Sequence, residues 1–243
     1  MELSGKVALV TGAAKRVGRE IALTLAERGV ELVVHYHRSE REAQELLAEA
    51  GRLGRKAVAA RADLSRSEEI DRLVAAAVAA FGRIDILINN AAIFYRTPFA
   101  TLTEEDWDRF QAVNLKAPFL LCRRVADIMG RQGHGKILNL ADIGAVKVWA
   151  DYLPYAVSKA GLIALTTGLA KALAPNVQVN AIAPGVVLLP EGTPADAAEE
   201  TRRRIPLKHL GSPAEVARAV VFLLESDFVT GEVLRIDGGQ ALV

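Results

Sequence analysis

The sequence predicts an α/β fold: a doubly wound parallel sheet with helices on both faces. Three observations lead there. Short apolar runs alternate with amphipathic helical stretches along the whole chain. The runs are apolar throughout, as strands buried on both faces are. The first of them, Val7–Val10, breaks at Thr11-Gly12, and a helical pattern follows at once.

In that first helix, Val17, Ile21, Ala22 and Leu25 fall on one face. The strand–turn–helix so formed aims free backbone N–H groups and a positive helix end at one point, where a phosphate can sit. A second strand covers Glu31–Tyr36. Ser39-x-x-Glu42 has the form of a capping box and opens a helix to about Arg52. Lys56–Ala60 is a third strand, and the next helix follows Ser65-x-x-Glu68. Its apolar series Ile70, Leu73, Val74, Ala77, Val78, Phe81 is helical in period. Ile84–Ile88 is a fourth strand. Two helices are expected near Thr103–Val113 and Leu115–Met129, with Asn114 between them. Lys136–Leu140 is a fifth strand, Tyr152–Leu173 a helix and Val177–Ala183 a sixth strand. Ser212-Pro213-Ala214-Glu215 starts a helix with proline in the first turn, and Val233–Ile236 is a last short strand. Leu188–Arg204, with Pro190, Gly192 and Pro194, is the least regular stretch, a lid over the site or a surface excursion.

No linker, repeat or low-complexity tract divides the 243 residues. A hydrophobic fraction of 51% supports a sizeable core, and a net charge of +1 makes no electrostatic case for nucleic acid or an anionic membrane. The single cysteine, Cys122, cannot form an intrachain disulfide. Val7–Val10 is too short for a signal peptide, and no run is long enough to read as a membrane span. The expectation is a cytoplasmic protein with a small-molecule substrate.

Several residues could carry chemistry. Tyr155 and Lys159 lie four apart at the start of a helix, on one face. An ammonium there would lower the tyrosine below its usual pKa of roughly 10 and suit it to proton transfer. Asp142 follows the fifth strand, thirteen residues before Tyr155. Where a site for the unphosphorylated dinucleotide commonly has an acidic residue after the second strand, this chain has His37, Arg38 and Ser39, which suit a phosphate. His35 and His37 share one side of the strand as a metal pair would, but no third ligand accompanies them, so no metal is expected.

Thr11–Gly18, Asp63-Leu64, Asn90-Ala91, Asn114, the Tyr155/Lys159 pair and Pro184-Gly185 occur in the order and spacing of the short-chain dehydrogenase/reductases, which the chain resembles over essentially its whole length. The resemblance implies a Rossmann-type single domain spanning residues 1–243, a homo-oligomer (dimer or tetramer), and hydride transfer with a nicotinamide cofactor. It implies that Tyr155 is the proton donor, that Lys159 holds the cofactor ribose and acidifies Tyr155, and that Asn114 supports a water path. Cofactor contacts are implied for Gly12, Lys15, Arg16, Val17, Tyr36, His37, Arg38, Ser39, Asp63, Leu64, Asn90, Ala91, Ala92, Pro184, Gly185 and Val186, besides Tyr155 and Lys159.

Two departures narrow the reading. Most of the family has glycine at Arg16 and serine at Asp142. The pteridine reductase branch is similar to this chain at both, at His35–Ser39 and at Asn90–Tyr95. That resemblance implies NADP(H), with Arg38 and Ser39 on its 2′-phosphate, and a pterin stacked on Phe94. A carboxylate at position 142 suits a ring with amino groups and basic nitrogens, which Asp142 would orient and help protonate. A third departure runs the other way: a threonine usual shortly after Pro-Gly is replaced by Val186-Val187-Leu188-Leu189. The expected function is NADPH-dependent reduction of a pteridine C=N bond. A carbonyl reductase such as a 3-oxoacyl carrier-protein reductase, and a non-catalytic NADP-sensing protein, remain open alternatives.

Overall fold

The computed structural model describes residues 1–189 and 192–243. Seven parallel strands form one sheet in the order β3-β2-β1-β4-β5-β6-β7: β1 (Val7–Val10), β2 (Glu31–Tyr36), β3 (Ala57–Arg61), β4 (Ile86–Asn89), β5 (Gly135–Leu140), β6 (Val177–Pro184) and β7 (Val233–Ile236). The doubly wound sheet is therefore as expected, with strand ends within two residues of those read from the sequence. The order reverses between β1 and β4, paired Ala8↔Ile86 through Val10↔Ile88. Ligands of such sheets bind outside the carboxyl ends of the strands at that reversal.

Period-2 side-chain alternation divides each buried strand between two cores. Ala8 and Val10 face α1 (Arg16–Glu27), α2 (Glu40–Arg52) and α8 (Pro213–Glu225). Val7 and Leu9 face α3 (Ser67–Phe81) and α5 (Ala117–Gln132). Burying both faces accounts for the uninterrupted apolar runs.

Helix starts show where local pattern and tertiary context disagree. Ser212 caps α8, accepting from the Glu215 N–H, as expected. Ser39 precedes α2 but makes no side-chain cap: its backbone, at φ −95° and ψ 60°, is not in the extended conformation of the capping Ser212, and Glu42 pairs with Lys15 at 2.8 Å instead of closing a capping box. The helix expected after Ser65 starts later, at Ser67; Glu69 accepts from the Asp63 N–H and Ser65 bonds the Asp63 carboxylate, which fixes the preceding turn.

The two helices expected around Asn114 are not separated by a break. α4 (Glu104–Gln111) runs through a π-helical turn at Ala112–Lys116 into α5. Thr103 and Asp106 close a capping box at the start of α4. Leu188–Arg204 is more regular than expected, since α7 (Ala195–Arg204) lies within it; Pro190 falls outside the described residues.

The stretch Ala150–Leu173 contains α6 (Leu153–Leu173) and is long and apolar enough, by length and composition, to cross a membrane, contrary to the sequence expectation. Here it packs on the sheet with Tyr155, Ser158, Lys159 and Thr166 buried, a pattern of polar burial that belongs to a core helix.

Candidate active site

A cleft of about 890 Å³ opens at the carboxyl ends of the strands, across the reversal point. One end is built on the turn after β1. Thr11 ties that turn to β4: its hydroxyl accepts from the N–H groups of Asn90 and Ala91 at 2.9 and 3.0 Å. The Asn90 amide donates back to the carbonyls of Thr11 and Gly12. Gly12 has a left-handed backbone at φ 61°, and a Cβ on Gly18 would lie 2.3 Å from the Gly12 carbonyl, so the turn can meet α1 only through glycine. Arg16, where the family usually has glycine, is also left-handed at φ 54°. That costs an arginine about 1–2 kcal/mol of backbone strain.

His35 holds this turn from beside it. Its Nδ1 accepts from the Gly12 N–H at 3.0 Å, so Nε2 carries the proton and donates to the Ala62 carbonyl at 3.0 Å. The sequence pairing of His35 with His37 suggested a metal pair at most; the structure makes His35 a buried brace, and no metal-binding cluster occurs among the described residues. Burial, opposed by the Ala62 bond and aided by His37, pushes His35 down to about 4. The unfolded chain therefore takes up this proton first, and stability is expected to fall as pH drops from about 6.5 toward 4. The full effect approaches about 3 kcal/mol. Thermal melts across that range check it: His35→Asn should give a shallower acid limb than wild type.

Lys15, Arg16, Val17, Gly18, His37, Arg38, Asp63, Leu64 and Ser65 line this end of the cleft, with Asn90, Ala91 and Ala92 beside them. Two expected members do not. Tyr36 is buried in the core against α1 and α2, and Ser39 is absent from the lining. Alternation explains the first: Tyr36 ends β2 on the side of the sheet opposite to Val33.

At the centre, β5 ends in Leu140-Ala141-Asp142. The Tyr155 hydroxyl donates to Asp142 Oδ2 at 2.9 Å, and the Gly144 N–H donates to Asp142 Oδ1 at 2.6 Å. Asp142 is thus both a loop cap and a partner of the tyrosine. Lys159 is buried, with its ammonium donating to the Leu140 carbonyl at 2.5 Å and standing 5.7 Å from the Tyr155 ring centre.

These groups correct one expectation. Tyr155 is not acidified: burial first, then the Asp142 charge and hydrogen bond, raise it well above its ordinary value. The lysine expected to acidify it is itself brought down to about 8 by burial, against the attraction of Asp142. Burial also raises Asp142, opposed by the Gly144 N–H, Lys159 and Tyr155. The tyrosine is therefore held as a neutral O–H donor. Asn114 does not line the cleft. It is buried behind it, accepting from the Ile93 N–H at 2.9 Å and donating to the Ile93 carbonyl and Ser158 Oγ. The π-helical turn is where these bonds are made.

The other end is aromatic. Phe94 lies parallel to Tyr152, centroids 4.8 Å apart and planes 3° apart, and meets Tyr155 edge-on at 4.8 Å. Trp149 and Arg109 join the lining, as do Pro184–Leu189 and Thr201 of α7. Sequence reading named Thr11 and His35 within motifs without seeing their bracing roles, and it missed Trp149, Arg109 and Tyr152. Of these three only Tyr152 carried a signal, standing one helical turn before Tyr155.

A family profile described as enoyl-(acyl carrier protein) reductase matches residues 12–241. A 3-oxoacyl-[acyl-carrier-protein] reductase of Thermotoga maritima is 38% identical over the whole of both chains. Another from Synechocystis is 35% identical over 99% of this chain and 98% of its own. A 3beta-hydroxysteroid dehydrogenase of Eggerthella lenta is 36% identical over 99% and 95%. The resemblance thus holds at the level of the family, while these names point to carbonyl chemistry and not to the narrower pteridine reductase branch.

Proposed function

The chain belongs to the short-chain dehydrogenase/reductase family, and on that premise we propose that it uses NADPH to reduce the C=N bond of a pteridine-type ring. The observation that carries this reading is the Asp142 carboxylate bonded to the Tyr155 hydroxyl, where most of the family has serine.

The residues present fit a phosphorylated dinucleotide. The glycine cradle leaves no room for a side chain at Gly18, and Lys15, Arg16, His37 and Arg38 gather at one end of the cleft. A guanidinium pair there would hold a 2′-phosphate. The buried Lys159 ammonium would face the nicotinamide ribose. When bound, the cofactor supplies the hydride. Reduction of C=N also needs a proton on nitrogen. Tyr155, kept protonated, would donate its hydroxyl proton to the ring nitrogen and take a replacement from solvent, while the Asp142 carboxylate would accept from the ring's amino groups. Phe94 offers a flat apolar face for the ring. Asn114 would act indirectly, by fixing Ile93 and hence Phe94.

The relatives favour a second reading, reduction of a 3-oxoacyl thioester, and their names weigh for it more directly than for pterins. A protonated Asp142 could donate to a developing oxyanion, as raised carboxyls do elsewhere. A non-catalytic sensor is disfavoured by the complete Asn114, Tyr155, Lys159 set. The half-exposed apolar side of α6 fits self-association of the chain. The test is NADPH oxidation by purified protein with dihydrobiopterin, dihydrofolate and acetoacetyl thioester, each compared with NADH. Turnover of no pterin with good turnover of the thioester removes the first reading.

Arg16→Gly separates strain from binding. Relief of about 1–2 kcal/mol is offset by about 0.5–1 kcal/mol of added chain entropy, so the melting temperature should hold or rise slightly. KM for NADPH is expected to rise about tenfold, a loss of roughly 1.4 kcal/mol, and KM for NADH to change far less. Melting curves and both KM values check it.

A further inference from the structure

We infer that Arg109 is a specificity-determining residue that recognises an anionic tail on the substrate. Arg109 and Val113, one helical turn apart, both face the cleft at its aromatic end with Phe94, Trp149 and Tyr152. The other arginines and the exposed lysine that line the cleft, Lys15, Arg16 and Arg38, sit at the opposite end with the glycine turn, and Lys159 is buried at the centre. Arg109 is therefore the cation that lines the substrate end among the described residues.

Arg109 is exposed and forms no ion pair within 4 Å among the described residues; it interacts with the Tyr95 hydroxyl and feels the Asp106 charge, and its guanidinium lies 6.0 Å from the Tyr95 ring centre, the ring serving as a platform. The neighbouring carboxylate, Asp106, is already engaged: it accepts from the Tyr95 hydroxyl at 2.9 Å and the Thr103 hydroxyl at 3.0 Å. Tyr95 also packs on Phe110, whose ring stands 6.3 Å from Tyr155, so the arginine is held on the same packed unit as the proton donor. A planar fork at the mouth of an aromatic slot suits a carboxylate or phosphate carried at a distance from the reacting group. Both readings of the site supply such a tail: the glutamate of a folate-type pterin, or the phosphates of a coenzyme-borne thioester.

This inference rests on the reductase reading above, and the experiment keeps the two apart. Steady-state kinetics with saturating NADPH are run on two pairs. One pair is dihydrofolate and dihydrobiopterin; the other is acetoacetyl-coenzyme A and the neutral acetoacetyl N-acetylcysteamine thioester. For whichever pair is turned over, Arg109→Gln should lower the charged-to-neutral ratio of kcat/KM about fivefold, through KM and not kcat. Arg109→Lys should recover part of it, and added salt should shrink the wild-type ratio toward that of the variant. Equal losses on both members, or no loss on the charged one, overturn the role of Arg109 alone. Failure of wild type on all four substrates overturns the reductase reading and this inference with it.

Discussion

Tyr155→Phe is expected to lower kcat about 10²- to 10⁴-fold while KM changes little, the range associated with loss of a positioned proton donor. The substitution removes one oxygen and keeps the ring that packs edge-on against Phe94 and Phe110. The fold should persist. What disappears is the hydroxyl that donates to Asp142 at 2.9 Å. Because burial and Asp142 keep this hydroxyl protonated, it works as a donor, and no phenolate is needed in the resting protein. Single-turnover rates measured with saturating cofactor isolate the chemical step. Unchanged turnover of every accepted substrate would return the sensor reading to contention.

Asp142→Ser is the second large effect, and it acts on selectivity. On the pterin reading the variant loses the acceptor that orients the ring and that holds the Tyr155 hydroxyl in place. A drop of about 10²-fold in pterin turnover is expected, with carbonyl turnover kept or raised, since serine donates to an oxyanion where an ionised carboxylate repels. If Asp142 instead works as a protonated donor on ketones, the same change lowers both. Stability moves the opposite way. Burial raises the carboxyl, so its contribution is intact below the ordinary carboxylate range and is lost as pH rises through its folded value. Asp142→Ser should therefore melt closer to wild type in acid and gain on it toward neutral pH. Paired rate assays and melts on one preparation read both consequences.

Much of the fold was legible because period and punctuation agreed. Val7–Val10 followed by Gly12 placed β1 and the glycine turn after it, and Ser212-Pro213 placed the start of α8. Ser39 and Ser212 carry the same local pattern, yet only Ser212 caps its helix. The difference is in the backbone, extended at Ser212 and not at Ser39, while Glu42 pairs with Lys15, far away in sequence. The π-helical turn left no mark because Ala112–Lys116 are acceptable helix residues; it carries Asn114, whose side chain exchanges bonds with the Ile93 backbone. Most of the residues singled out in the sequence come together at the cleft, but Tyr36, Ser39 and Asn114 do not line it, and the electrostatics were not legible at all. Tyr155 and Lys159 share a helix face as spacing demanded, but how deeply both are buried, and the nearness of Asp142, reverse the expected acidity of the tyrosine. His35 was invisible as a brace because its partners, Gly12 and Ala62, are backbone groups brought together by the sheet.

The most direct test compares kcat/KM of the wild-type protein for a dihydropterin and for a 3-oxoacyl thioester, both with saturating NADPH at neutral pH. The pairing of Asp142 with Tyr155 leads us to expect the dihydropterin to be preferred by at least about 10²-fold, well inside the roughly 10⁴–10⁵-fold that a site built to hydrogen-bond its substrate can reach. A preference for the thioester, with Asp142→Ser improving neither substrate nor shifting their ratio, would contradict it.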